Sequence, residues 1–424
     1  MTSASAGASN GAPRTVEGTA TSRVVRPGTG RRRRDPDVPS SRRERRPRPR
    51  SRADRRWLVR LVVLEVAAVA VLATLWPLEP VNPLQVVVGS VALLAVLATW
   101  IRRRGRSLDQ WAARVVTFRV RAVRRRRADR RAGTAGEDGT LDALDPALHG
   151  LGLAGLAVRA HVDRAGNRAG VVVLSGEGTD AVSGVVRVTS GVDPEPSRLL
   201  RGLRAAFERP DIPLAAAQLV VWSVPGPARD SVLRVHWLAV RYLPAASPAA
   251  ALARGGGLPG AIRSTAMAAL GLARDLSEAG VPAAPLGVRE LRGELGVAVG
   301  LDPMVLTGAE TAPAPHEKWR EWSAGSVHQV TLRPARAGGI EDHLGLLRAH
   351  APGAAFTCVS TTLRRDLYGT VDEEVLVRVG VPVVTGRTDV RTALEAAVAG
   401  LDADLVPIVG EQARGVRCTL PLAV

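Results

Sequence analysis

Asp402-Ala403-Asp404 is the segment whose chemistry is easiest to name. Two carboxylates one residue apart can share a divalent cation, as in sugar-nucleotide transfer. The pair follows Gly400 after an apolar helical pattern and precedes Leu405-Val-Pro, so a solvated turn opening a strand is the preferred reading. Gly255-Gly-Gly-Leu-Pro-Gly260 sits before a helical pattern, where a phosphate loop would sit. It lacks the Gly-Lys-Ser/Thr ending, and the one Lys of the chain is Lys318, so a flexible loop with a helix-start Pro accounts for it better. Seven His are scattered without metal-ligand spacing, and no Gly-x-Ser-x-Gly elbow occurs. Cys358 and Cys418 lie far apart, which indicates neither a disulfide framework nor zinc and fits a reducing compartment. No catalytic residue, cofactor or metal is therefore assigned. Glu65 stands apart: a carboxylate in an apolar run needs protonation, a partner such as Arg60, or a protein neighbour.

The elements that must carry these residues divide the chain by composition. Of 58 basic and 40 acidic side chains, residues 1–131 hold 30 and 9, so the positive charge is confined there and the remainder carries about −3, for a net charge of +18. Residues 1–56 are rich in Ser, Gly, Pro and Arg and read as a disordered cytosolic tail. Leu58 to Leu78 and Leu84 to Ile101 are apolar runs long enough to cross a bilayer, joined by Pro77, Pro80 and Pro83, so 57–101 reads as a transmembrane hairpin. Arginines flank both outer ends while the loop carries Glu79, which places both termini in the cytoplasm. Trp57, Trp76 and Trp100 stand at span ends.

Residues 102–131 read as a basic amphipathic juxtamembrane helix opened by a capping box at Ser107 to Gln110. Leu108, Trp111, Val115, Phe118 and Ala122 form its stripe. The stripe could meet anionic lipid or protein, or the segment could be a charged solvated linker. A linker at 132–150 leads into a domain at 151–424 whose short strands and helices alternate, so its class is α/β or α+β on one main sheet. Expected strands include 156–162, 171–174, 185–188, 218–224, 232–242, 327–332, 355–362, 375–379, 405–409 and 416–420. Helices are expected at 197–208, 261–279, 340–350 and 388–401, with Met267 and Leu270 among the buried residues of the second.

Lys318-Trp-Arg-Glu-Trp-Ser-Ala-Gly-Ser-Val-His328 is the most distinctive stretch. Trp319, Trp322, Gly325 and His328, running into an alternating strand, resemble the EccE component of the actinobacterial type VII (ESX) secretion system. The basic tail, a hairpin opening near Leu61-Val-Val-Leu-Glu-Val66, the Arg102 to Arg106 exit, the Trp111 helix and the closing Gly410-Glu to Thr419-Leu-Pro-Leu422 follow in the family's order. The resemblance implies a mixed-sheet, degenerate glycosyltransferase-like α/β domain in the cytosol behind two transmembrane helices, without established catalysis. It also implies an inner-membrane complex with EccB, EccC and EccD. Glu65, Leu108, Trp111, Val115, Phe118, Trp319, Trp322 and His328 are then candidate contact residues, with membrane lipids as further partners and no specific nucleic acid or small-molecule substrate. The alternatives are a membrane-tethered glycosyltransferase using Asp402 and Asp404, and an anionic-lipid or nucleic-acid binder acting through the Arg tail. The tail has no aromatic side chain on which bases could stack.

Overall fold

A computed structural model describes residues 102–103, 106–107, 115, 117–119 and 145–424, the last range apart from 154–155, 177–178, 229–230, 302–314, 326, 337, 367 and 383–388. The spans expected at 57–101, and with them Glu65, lie outside the described residues, as do Leu108 and Trp111. Among the described residues no helix is long and apolar enough to cross a membrane.

At the start, β1 (Arg102–Arg103) and β2 (Arg106–Ser107) form a small antiparallel hairpin with Arg102 opposite Ser107. Ser107, expected to cap a helix, therefore lies in a strand, and helical backbone is described at 115 and 117–119.

The domain follows. It begins with α1 (Asp145–Gly150), β3 (Leu156–Val162), β4 (Arg168–Gly176) and β5 (Thr179–Val188). Then come α2 (Pro196–Phe207), β6 (Ala216–Pro225), β7 (Val232–Tyr242), α3 (Pro248–Leu252), α4 (Gly257–Glu278), β8 (Ala283–Pro285) and α5 (Val288–Val299). The chain continues with β9 (His316–Glu317), β10 (Trp322–Ala324), β11 (Val327–Pro334) and a 3-10 helix at Glu341–Arg348. It closes with β12 (Phe356–Arg365), β13 (Val371–Pro382), α6 (Val390–Ala399), β14 (Leu405–Pro407) and α7 (Gln412–Cys418).

Twelve of these strands make one sheet in the order β3-β4-β5-β7-β6-β12-β13-β11-β10-β9, with β8 on β5 and β14 on β11. Every described pairing is antiparallel. Of the two classes the sequence left open, the domain is thus α+β, and the mixed sheet of a glycosyltransferase-like fold is not what the described strands build. Hairpins and split crossovers leave antiparallel neighbours, whereas a parallel pair needs a direct βαβ connection.

The sheet is made of two copies of one unit. β5-α2-β6-β7-α4-β8 is a β-α-β-β-α-β unit with spatial order β8-β5-β7-β6. β11, the 3-10 helix, β12, β13, α6 and β14 repeat it with order β14-β11-β13-β12. Each copy is preceded by a meander (β3-β4, β9-β10) and followed by a helix (α5, α7). The central strands β6 and β12 meet antiparallel, from Thr357 opposite Ser223 to Arg364 opposite Ala216, which places a pseudo-two-fold axis between them.

Both faces are covered, so β6 is apolar nearly throughout rather than alternating. On the first face, Leu199, Leu203, Leu272, Leu276 and Leu394 from α2, α4 and α6 pack on Val182, Leu219, Leu238 and Val377. On the second, α1, α5 and α7 supply Leu148, Leu291, Leu295 and Val416 over Val220, Trp237 and Cys358. The strand expected at 416–420 is instead the end of α7 and the first residues beyond it. A short apolar run does not distinguish buried helix from buried strand. Leu420 and Leu422 are buried under the second face. There Ser183 Oγ donates to Leu422 O (2.7 Å), Ala423 N to Gln218 Oε1 (2.7 Å) and Arg364 Nη2 to Val424 O (2.5 Å), so residues 422–424 run across β5, β6 and β12. Met267, expected in the core, is 45% exposed, and Leu270 is only partly buried.

Candidate interaction site

The tryptophan stretch forms the short meander at the outer edge of the second unit. Trp322 pairs with Gln329 across β10 and β11 and its ring is buried, so this Trp is a core residue. Trp319 stands in the β9-β10 turn, which three contacts hold. Lys318 N donates to Glu321 O (2.8 Å), the Lys318 ammonium pairs with the Glu321 carboxylate, and Gly410 N donates to Trp319 O (2.7 Å). Gly410 has φ +74°, and a Cβ there would lie 2.4 Å from the Trp319 ring, so glycine is required by both backbone and space. Ala413 N at the start of α7 donates to Glu317 Oε1 (2.9 Å), tying β9 to the same helix.

His328 is half-buried on β11 with Nδ1 3.4 Å from Glu321 Oε1, without hydrogen-bond alignment. The imidazole sits beside the Lys318–Glu321 pair as a neighbour of the turn. Among the described residues no three His, Cys, Asp or Glu side chains are placed to hold a metal.

Phe118, 201 positions upstream by number, packs its ring on Trp319 with centroids 5.4 Å apart and planes at 85°. This edge-to-face arrangement sets the positive edge of one ring on the negative face of the other and contributes about 0.5–1.5 kcal/mol beyond area burial. Val115, one helical turn before Phe118, is half-buried, while Thr117 and Arg119 are exposed. Two residues singled out in separate parts of the sequence are thus in contact. Gly410 and Glu321 stand in stretches that the sequence singles out, but nothing in the sequence announces that they and Glu317 hold this turn: a carboxylate near a Trp and a Gly after a strand are common.

Asp402 and Asp404 are exposed and line an open groove of about 670 Å³ with Asp342, His343, Arg336 and Arg348. Asp402 has φ +47°, a left-handed turn residue that opens β14, and Asp404 O accepts from Ala335 N (2.8 Å). Gly255, Gly256 and Gly257 all have positive φ. α4 starts at the last of them, and Gly260 packs against the backbone of Ala251 on α3, so the glycines serve a tight helix–helix turn. Both cysteines are buried and free, and burial pushes the Cys358 thiol pKa up.

Residues 231–333 match the family described as "Putative type VII ESX secretion system translocon, EccE". The chain is EccE-like over this stretch, which is similar to a type VII secretion system component. It runs from the start of β7 to the end of β11 and so crosses from one unit of the sheet into the other, taking in Trp319, Trp322 and His328. No curated protein matches the chain.

Proposed function

We propose that the protein is a structural subunit of a type VII (ESX) secretion complex, anchored in the inner membrane by a hairpin at 57–101 with both termini cytoplasmic. It braces neighbouring core components of the EccB, EccC and EccD kind and catalyses no reaction. The observation that carries this reading is the EccE match over residues that include the Trp319 turn, together with the seating of Phe118 on Trp319. A domain joined to membrane spans by a basic segment would swing freely. A ring contact between that segment and the sheet edge fixes its angle, and a fixed angle is what a bracing part needs.

Extraction of native membranes in mild detergent, followed by identification of co-purifying proteins, tests the reading. The full-length chain is expected to carry other type VII core components with it, and Trp319→Ala to lower their recovery roughly tenfold, equivalent to about 1.4 kcal/mol. Trp111→Glu should do the same while leaving the protein in the membrane fraction. Purification of the wild-type chain as a lone monomer would sink the proposal.

A further inference from the structure

Three arginines on the second face of the sheet take no part in the contacts that hold the Trp319 turn. Arg241 on β7 and Arg364 on β12 are both cross-strand partners of Ala216 on β6, so they stand on one face at one level with a methyl group between them. Two strand spacings put their Cα atoms roughly 10 Å apart, within reach of two guanidiniums leaning over an alanine. The third arginine comes from α7. Arg364 Nη2 lies 3.6 Å from Cys418 Sγ, and Arg417 is the residue before it. A Cβ on Gly152 would lie 3.5 Å from Arg417 Nη1, so Gly152, just after α1, borders Arg417.

Arg364 is answered: Nη1 pairs with Glu374 Oε2 at 2.9 Å and Nη2 donates to Val424 O. Among the described residues the side chains of Arg241 and Arg417 have neither a hydrogen bond nor an ion pair. Arg241 is half-buried, and burial, then Arg364 and Arg417, push its pKa below the ordinary guanidinium value. A partly desolvated guanidinium without an ion pair of its own, beside Arg417 and beside an Arg364 already paired with Glu374, is an arrangement that an anion would relieve.

We propose that Arg241, Arg364 and Arg417 form a binding pocket for a phosphate group, with the guanidinium N–H groups of Arg241 and Arg417 donating to its oxygens. Two unanswered cations call for an anion. A phosphate presents oxygens to two separate guanidinium forks at once. The phosphate can belong to a lipid headgroup, a singly charged phosphodiester, or to a soluble compound of higher charge, and in either case its oxygens accept from the arginine N–H groups.

The full-length chain in nanodiscs separates these sources. In phosphatidylcholine discs, inorganic phosphate is compared with sodium chloride at equal ionic strength. In a second arm, phosphatidylglycerol discs are used without phosphate. The thermal midpoint is expected to rise by roughly 4 °C or more in one of the two arms. A rise in the first assigns a soluble ligand, and a rise in the second alone assigns a headgroup. Arg241→Gln with Arg417→Gln should abolish most of the rise and, in phosphatidylcholine discs without phosphate, should be at least as stable as the wild type. The proposal is overturned by no rise in either arm, by an equal rise in the double variant, or by a double variant that is less stable before any phosphate is added. If the double variant does not fold, Arg417→Gln alone, at the half-buried end of α7, is read by the same criteria.

Discussion

His236 is buried at the start of β7 with Nε2 3.3 Å from Asp193 Oδ1, and Arg234 two residues earlier pairs with the same carboxylate at 3.1 Å. Burial is the largest influence on this imidazole and lowers its pKa. Asp193 opposes the shift and Arg234 adds to it. His350, at the end of the neighbouring 3-10 segment, is lowered for the same first reason, with Arg234 contributing. Because the folded pKa lies below the unfolded value of about 6.5, the unfolded chain binds more protons as pH falls past that point. The stability that depends on a neutral His236 is therefore complete above about pH 6.5 and is lost progressively below it. Urea midpoints at pH 7.5 and 5.5 should differ, and His236→Gln should narrow the gap. An unchanged gap would show that His236 is not the group responsible.

Gly410 and Gly166 allow the Trp319 turn to be weighed as an element. Both have positive φ, +74° and +86°, but a Cβ at Gly166 meets nothing within 4 Å whereas one at Gly410 meets the Trp319 ring. Gly166→Ala should cost about 1 kcal/mol for its backbone alone. Gly410→Ala should cost about 1–3 kcal/mol more, because the ring must move, and should loosen Phe118. Equal costs in urea unfolding would mean that the ring is not held by this glycine. How much was legible in the sequence also differs by element. β3, β7 and α2 stand at or within a residue of the positions expected, because their apolar periodicity is strong. The first half of β5, Thr179 to Gly184, was missed because Asp, Ser and Gly look like turn residues. It is a strand because β4 and β7 flank it and Gly184 lets α4 approach, with Ala269 Cβ 3.0 Å from where its own Cβ would be. Helix α5 was also missed, since its two internal glycines, Gly293 and Gly296, weaken its stripe. At the site, Trp319 and Phe118 were visible as unusual residues, but no local pattern announces a contact across two hundred positions.

On the scale of the whole molecule, the two-fold repeat was hidden because its copies share topology and not residues: α2 of one is a 3-10 segment in the other. The copies are held by the β6–β12 pairing and by polar contacts across the axis. Arg204 on α2 reaches Glu373 at 3.0 Å and also Glu341, and the Arg348 guanidinium pairs with Glu195. Cutting the backbone between Leu301 and Pro315 should therefore leave the two pieces bound to one another through affinity purification, and pieces that separate under native conditions would refute this. The crossing of residues 422–424 over β5 and β6 bears on how the protein is made. Leu422 closes over Ser183, 239 positions earlier. At about 5–20 residues per second a ribosome needs roughly 10–50 s to travel that distance, and during it the strip of the second face that residues 420–424 close stays open, although α1 and α5 already lie over the rest. A nascent chain of this design passes through a long interval of exposed apolar surface, when a chaperone has its best opportunity to act and a stalled ribosome does the most harm.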